Sequence, residues 1–193
     1  MPYNPDQTRA SIIAAASKEL ATYGPAGARV DRIAQEAGAN KQGIYHHFGD
    51  KQRLLAAVLD DGLDQLARAV PLDPDAVAEY AGQLFDFHVE HPEVIRLVLW
   101  ETLSATDLAT DSEHPRKDHY DEKVSAMRSA QRMGLVDADL DPRQLVLAIL
   151  GIVNWQFAAT HVANLLFTAN GATTPTLAER RTFAVTAARK LLT

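Results

Sequence analysis

Residues 37–52 read AGANKQGIYHHFGDKQ. The run is too poor in apolar residues to make a core helix, yet it gathers lysine, glutamine, a tyrosine and two histidines between glycine breaks. Just upstream, Val30, Ile33, Ala34 and Ala37 fall at i, i+3, i+4 and i+7, the apolar face of a short helix over about 30–37. Gly38 then takes the C′ position, where a left-handed residue is wanted. Asn40 can cap a second short helix over about 41–47. Its inward residues are Ile44 and Phe48, with Ala39 packing in the turn; Lys41, Gln42, Gly43, Tyr45 and His46 point out. Two short helices joined by a tight glycine turn read as helix-turn-helix. Apolar anchors behind and hydrogen-bond donors in front are what a DNA recognition helix needs, and Gly43 lets the backbone come close to the duplex. The plainer alternative is a surface hairpin whose polar face is only solvated.

Working outward, nearly every segment carries the helical period and none alternates like a strand. The expectation is an all-α chain of about nine helices. The first covers about 6–23 and is stopped by Gly24-Pro25. The fourth is capped by Asp50 and carries the stripe Leu54, Leu55, Val58, Leu59 and Leu66. Val70–Pro74 is the best linker, a fifth helix follows over about 74–90, and His91-Pro92 restarts the chain. The sixth, about 92–104, is apolar on most sides and is expected to be central. Residues 105–115 read as polar and irregular, before a seventh helix over about 116–133. Asp141-Pro142 opens the eighth, about 142–168, and Thr176–Glu179 is a capping box opening the ninth, about 176–192. The domains are expected to be 1–53, joined through the fourth helix, and 54–193.

Charge singles out the same end of the chain. The net charge is −6, but residues 1–53 hold seven Lys and Arg against five acids, and the remainder holds 12 against 20. Such asymmetry is expected when one end meets a polyanion. With no cysteine, disulfides, thiolate metal sites and cysteine nucleophiles are excluded. The N-terminus lacks a signal-peptide pattern, and the apolar run 145–169 is interrupted by Asn154, Gln156, His161 and Asn164, so a cytoplasmic protein with no membrane partner is expected.

Other constellations carry less chemistry. His88 and His91 beside Glu90, or His114 and His119, do not supply the three or four convergent ligands a metal needs. The segment GPAGAR matches no nucleotide fingerprint, and no serine sits in a nucleophile elbow. No cofactor, no metal and no catalytic residue is therefore expected; the rival class is a helical enzyme or ligand carrier whose first helices are only structural. Trp100-Glu101 and Asn154-Trp155-Gln156 embed polar groups in apolar helices. Such groups must find partners, either one another or a small molecule. With Phe87, His88 and Met127 they make a candidate ligand wall built from the fifth to the eighth helices.

The string Thr8-Arg9…Ala16…Leu20…Gly24…Val30…Ile33-Ala34…Ala37-Gly38-Ala39-Asn40-Lys41…Gly43-Ile44-Tyr45-His46-His47-Phe48…Lys51…Leu54 resembles the N-terminal signature of TetR/AcrR-family transcriptional regulators over about residues 8–58. The resemblance implies an all-α homodimer whose first three helices bind a double-stranded operator and whose divergent C-terminal domain binds a small effector that releases the DNA. Carried onto this sequence, the DNA-binding residues would be Arg29, Asn40, Lys41, Gln42, Gly43, Tyr45, His46 and Lys51. Two departures stand out. Ala28-Arg29 occupy the place of a capping Thr or Ser, which weakens the cap of the second helix by roughly 1 kcal/mol unless something replaces it. Ala39 and Asn40 stand for Val and Ser, and Asn still caps. Pairing of the eighth and ninth helices with a second copy is expected to make the dimer. Leu150, Ala158, Val162 and Leu165 face the partner from the eighth, and Phe183, Ala184, Ala187, Ala188 and Leu191 from the ninth.

Overall fold

The structure is a computed structural model that describes residues 4–103 and 113–193, with side chains from 117 onward in the second stretch. Most of the segment expected to be irregular, together with Ser104, Ser112 and the His114 side chain, lies outside the described residues. The described residues form ten α-helices and no strand: α1 (Pro5–Gly27), α2 (Val30–Glu36), α3 (Lys41–Phe48), α4 (Lys51–Ala69), α5 (Val77–Glu90), α6 (Pro92–Leu103), α7 (Glu113–Arg132), α8 (Pro142–Ala158), α9 (Thr160–Phe167) and α10 (Leu177–Leu191). They divide into two compact units. One comprises α1–α3, most of α4, and α6; the other comprises the end of α4, α5, α7 from Lys117, and α8–α10.

The first unit is built on one apolar cluster. Ile12, Ala16 and Leu20 from α1, Ile33 from α2, Ile44 and Phe48 from α3, Leu54 and Val58 from α4, and Leu97 from α6 all contribute to it. Helix α1 begins where Asn4 Oδ1 accepts the N–H groups of Asp6 and Gln7, with Pro5 preorganised in the first turn. It outlasts the expected stop. Gly24 turns left-handed (φ 67°) and one further turn runs to Gly27. Gly24 is required twice over, because a Cβ there would stand 2.8 Å from the Trp100 ring of α6. Helix α6 is less central than its composition implied. Val94, Ile95 and Leu97 are buried, while Leu103 is well exposed.

In the second unit α5, α8 and α10 pack on one another and bury Tyr80, Leu84, Phe85, Ile149, Val153, Ala184 and Ala188. Gly82 allows the close approach of α5 and α10, since a Cβ would come within 2.9 Å of Val185 and Arg181. Arg181 Nε donates to both carboxylate oxygens of Asp86 at 2.8 Å across that seam. The alanines Ala184 and Ala188, assigned above to a partner chain, therefore serve the chain's own core. The expected eighth helix is two helices. At Ala159 the backbone leaves the helical region (φ −106°, ψ 50°), and α9 turns away by 85°. No glycine or proline marks the bend, so helical periodicity gave no sign of it. No single helix among the described residues is long and apolar enough to cross a membrane.

Candidate nucleic-acid interface

The turn between α2 and α3 is closed by a Schellman arrangement. Gly38 takes φ 63°, the Ala39 N–H donates to Ala34 O at 2.9 Å, and the Gly38 N–H donates to Gln35 O at 3.3 Å. Ala39 packs on the cluster beneath. Asn40 then caps α3, its Oδ1 accepting the Gly43 N–H at 2.6 Å. A Cβ at residue 43 would lie 3.2 Å from that oxygen, so Gly43 also makes room for the cap. Ile44 and Phe48 are buried, while Lys41, Gln42, Tyr45 and His46 are exposed along one face. Asp50 caps α4 through the Arg53 N–H at 2.8 Å, which places Lys51 in its first turn. The result is a short polar helix held rigidly at both ends by the sequence on either side of it.

The cap missing from α2 is supplied from α1. Glu19, 8% exposed, accepts the Arg29 N–H at 2.8 Å and the Arg32 Nε–H at 2.8 and 3.0 Å. Arg32 also donates to Gly27 O and lies over the Tyr23 ring, 4.3 Å from its centre. Burial pushes the Glu19 carboxyl up, but the Arg32 and Arg29 hydrogen bonds outweigh burial and hold it below the usual carboxylate range. The Arg29 N–H at the start of α2 is thus already occupied, while the Arg29 side chain is exposed and available to an anion. Sequence reasoning missed Glu19. Its signal was an acid on the apolar stripe of α1, four residues beyond Ala15 and next to Leu20.

Lys41 is not idle. Its ammonium pairs with Asp31 of α2 at 2.9 Å, which holds the carboxyl of Asp31 low and the Lys41 ammonium high through their shared hydrogen bond. Both side chains are more than half exposed, so water and salt weaken the pair. In the second unit Phe87, His88 and Met127 are buried, and His88 Nε2 bonds Asn154 Oδ1 at 2.9 Å. Trp155 is 64% exposed instead. It edges an open apolar cleft of about 340 Å³ between α8, α9 and α10, together with Leu166, Phe167, Arg180 and Phe183. Trp100 and Glu101 belong to the first unit. Of the residues named as a ligand wall, the second unit joins His88 to Asn154 and leaves Trp155 exposed. Tyr80 and Lys123, both buried, were not named. Lys123 shares the inward stripe of α7 with Met127 and Ala130, which was the available signal.

A helix-turn-helix with an exposed polar second helix, followed by a separate helical unit, defines a class of bacterial DNA-binding regulator. Residues 12–58 match the model of the bacterial regulatory proteins of the tetR family, and residues 76–190 match the tetracyclin repressor-like C-terminal domain. The chain is 38% identical over 163 residues to the HTH-type transcriptional repressor SCO4008 of Streptomyces coelicolor, covering 84% of this chain and 85% of that protein. It is 29% identical over 146 residues to the HTH-type transcriptional regulator RutR of Escherichia coli K12, covering 72% and 68%. The crystal structure of SCO4942 from Streptomyces coelicolor superposes with a TM-score of 0.81 at 35% identity, covering 95% of this chain and 97% of that one. The chain belongs to the TetR family and is a DNA-binding transcriptional regulator.

Proposed function

We propose that this regulator represses transcription as a two-fold dimer that lays the two copies of α3 into successive major grooves of a palindromic operator and is released by a small effector bound in the second unit. The observation that carries the DNA reading is the capped, glycine-closed turn that anchors Ile44 and Phe48 and leaves Lys41, Gln42, Tyr45 and His46 exposed. Gln42 suits adenine, and Lys41 suits guanine once it leaves Asp31. Arg29, Tyr45, His46 and Lys51 are phosphate contacts, and Asn40 and Gly43 hold the first turn at the DNA. The dimer reading is supported by the apolar side chains that the chain leaves exposed on α8, α9 and α10: Leu147, Trp155, Val162, Leu165, Leu166 and Phe183. Direct competition experiments separate the two kinds of DNA contact. Gln42→Ala should cost about 1–3 kcal/mol at one operator position and leave non-specific binding intact. Lys51→Ala should weaken all sequences alike and lower the salt slope by about one per site. Tyr45→Phe should lose roughly 1 kcal/mol without altering preference. If fluorescence anisotropy shows all three variants binding DNA as the wild type does, the polar face of α3 is merely solvated and the reading is withdrawn.

A further inference from the structure

Helix α5 of the second unit buries two side-chain atoms that meet no hydrogen-bond partner, and α7 sets beside them a largely buried lysine that pairs with no described carboxylate. Tyr80 is 1% exposed and His88 2%, and neither Tyr80 Oη nor His88 Nδ1 meets a hydrogen-bond partner. Lys123 is 9% exposed and forms no ion pair with a described carboxylate; its ammonium lies 5.8 Å from the centre of the Tyr80 ring. Folded proteins satisfy nearly all buried polar groups, and a buried cation without an anion is the costliest exception. Apolar side chains stand beside these groups. Met127 stands one turn beyond Lys123 on α7, and the Phe157 ring of α8 lies 5.5 Å from the His88 ring. Tyr80 and His88 are eight residues apart on one helix, about 12 Å along its axis.

We propose that these groups are the contacts of the effector, and that the effector is a small monocarboxylic acid with an apolar body. Its carboxylate takes the Lys123 ammonium and the Tyr80 hydroxyl, and a hydroxyl or N–H at its far end donates to His88 Nδ1. The inference rests on the effector reading given above and names the chemistry of that site. The far end must be a donor because Asn154 Oδ1 can only accept. His88 Nε2 therefore carries the proton, and Nδ1 presents a lone pair. Burial pushes the His88 imidazole toward its neutral form and pushes the Lys123 ammonium down as well, a cost that an arriving carboxylate removes. One cation and one hydroxyl match a single negative charge. The second charge of a phosphate would be left unmatched beside these apolar side chains.

The test is calorimetric titration of the full chain with 10-hydroxydecanoate, whose ends match the Tyr80–His88 span when extended, alongside decanoate and 1,10-decanediol. Expected are binding of the hydroxy acid, binding of decanoate about tenfold weaker for want of one hydrogen bond, and binding of the diol at least about a hundredfold weaker. Lys123→Met should weaken acid binding by about a hundredfold while raising the Tm of the empty protein by about 2–4 °C, because a site kept for a ligand is relieved when its unpaired charge goes. Tyr80→Phe, which removes only the hydroxyl, should bind about tenfold more weakly. A Lys123→Met protein that melts below wild type or fails to fold, a diol that binds as well as the acid, a Tyr80→Phe variant of unchanged affinity, or no binding at millimolar acid each overturns the inference. Operator binding is read on the same preparations. Loss of acid binding alone leaves the DNA reading standing, whereas acid that binds these residues without releasing DNA supports the site and overturns the effector reading.

Discussion

Glu19 is one carboxylate that fixes the position of a whole helix. It stands in for the absent cap of α2, satisfying the Arg29 N–H and holding the Arg32 guanidinium. Glu19→Ala would leave that donor unmet and should destabilise the first unit by about 1 kcal/mol. DNA affinity should fall more steeply, because α2 sets the pose of α3. The pH dependence has a definite sign. The carboxyl of Glu19 is held below its ordinary value in the folded protein, so its contribution is fully present above the unfolded carboxylate pKa. That contribution is lost as pH falls through the folded value, beginning below about pH 5. Glu19→Gln keeps an acceptor for Arg29 and should flatten this segment of a Tm-against-pH curve. A curve identical to wild type would show that Glu19 does not carry it.

At the scale of elements, two glycines with nearly the same φ have different consequences. Gly38 (φ 63°) ends α2 in open space, with nothing within 4 Å of a built Cβ. Gly38→Ala therefore costs only the left-handed strain, about 1–2 kcal/mol. Gly24 (φ 67°) has the Trp100 ring 2.8 Å from the same position. Gly24→Ala adds overpacking of about 1–3 kcal/mol to that strain and should shift α6 against α1. Chemical denaturation of the two variants checks this, and equal losses of stability would mean that the Trp100 contact yields freely. The sequence showed both glycines as helix stops of one kind. Their difference lies in a neighbour some seventy-six residues away, which no local pattern carries.

For the whole molecule, the exposed apolar face of α8–α10 demands a covering, and a second copy is the reading proposed above. Phe183, 63% exposed, edges the cleft beside Trp155 and Leu166. Phe183→Glu should leave the fold of the chain intact, because the residue lies outside the core. It should convert dimer to monomer in light scattering at micromolar concentration and abolish cooperative binding to a two-site operator. Dimers that persist with unchanged affinity would place the interface elsewhere. Ala184 and Ala188 are poor probes of the same idea, since they are buried against their own chain.

The local features were legible from the residues in order. Helical period, Gly38, Asn40, Asp50 and the Thr176–Glu179 capping box each act over fewer than five residues, and every one of these caps and turns stands where the pattern put it. The division of α3 into buried Ile44 and Phe48 and an exposed polar face was legible for the same reason, because it follows from the helix repeat. Features that depend on distant partners emerged from the packing of the helices. Glu19 replaces a cap ten residues away, and Lys41 is held by Asp31. Trp100 packs on Gly24, and α8 bends where its helical period does not. Hydrogen-bond capping and helical periodicity are properties of neighbouring residues. Which polar side chain meets which, and which stays buried without a partner, is set by how separate helices pack, and one-dimensional spacing does not encode it.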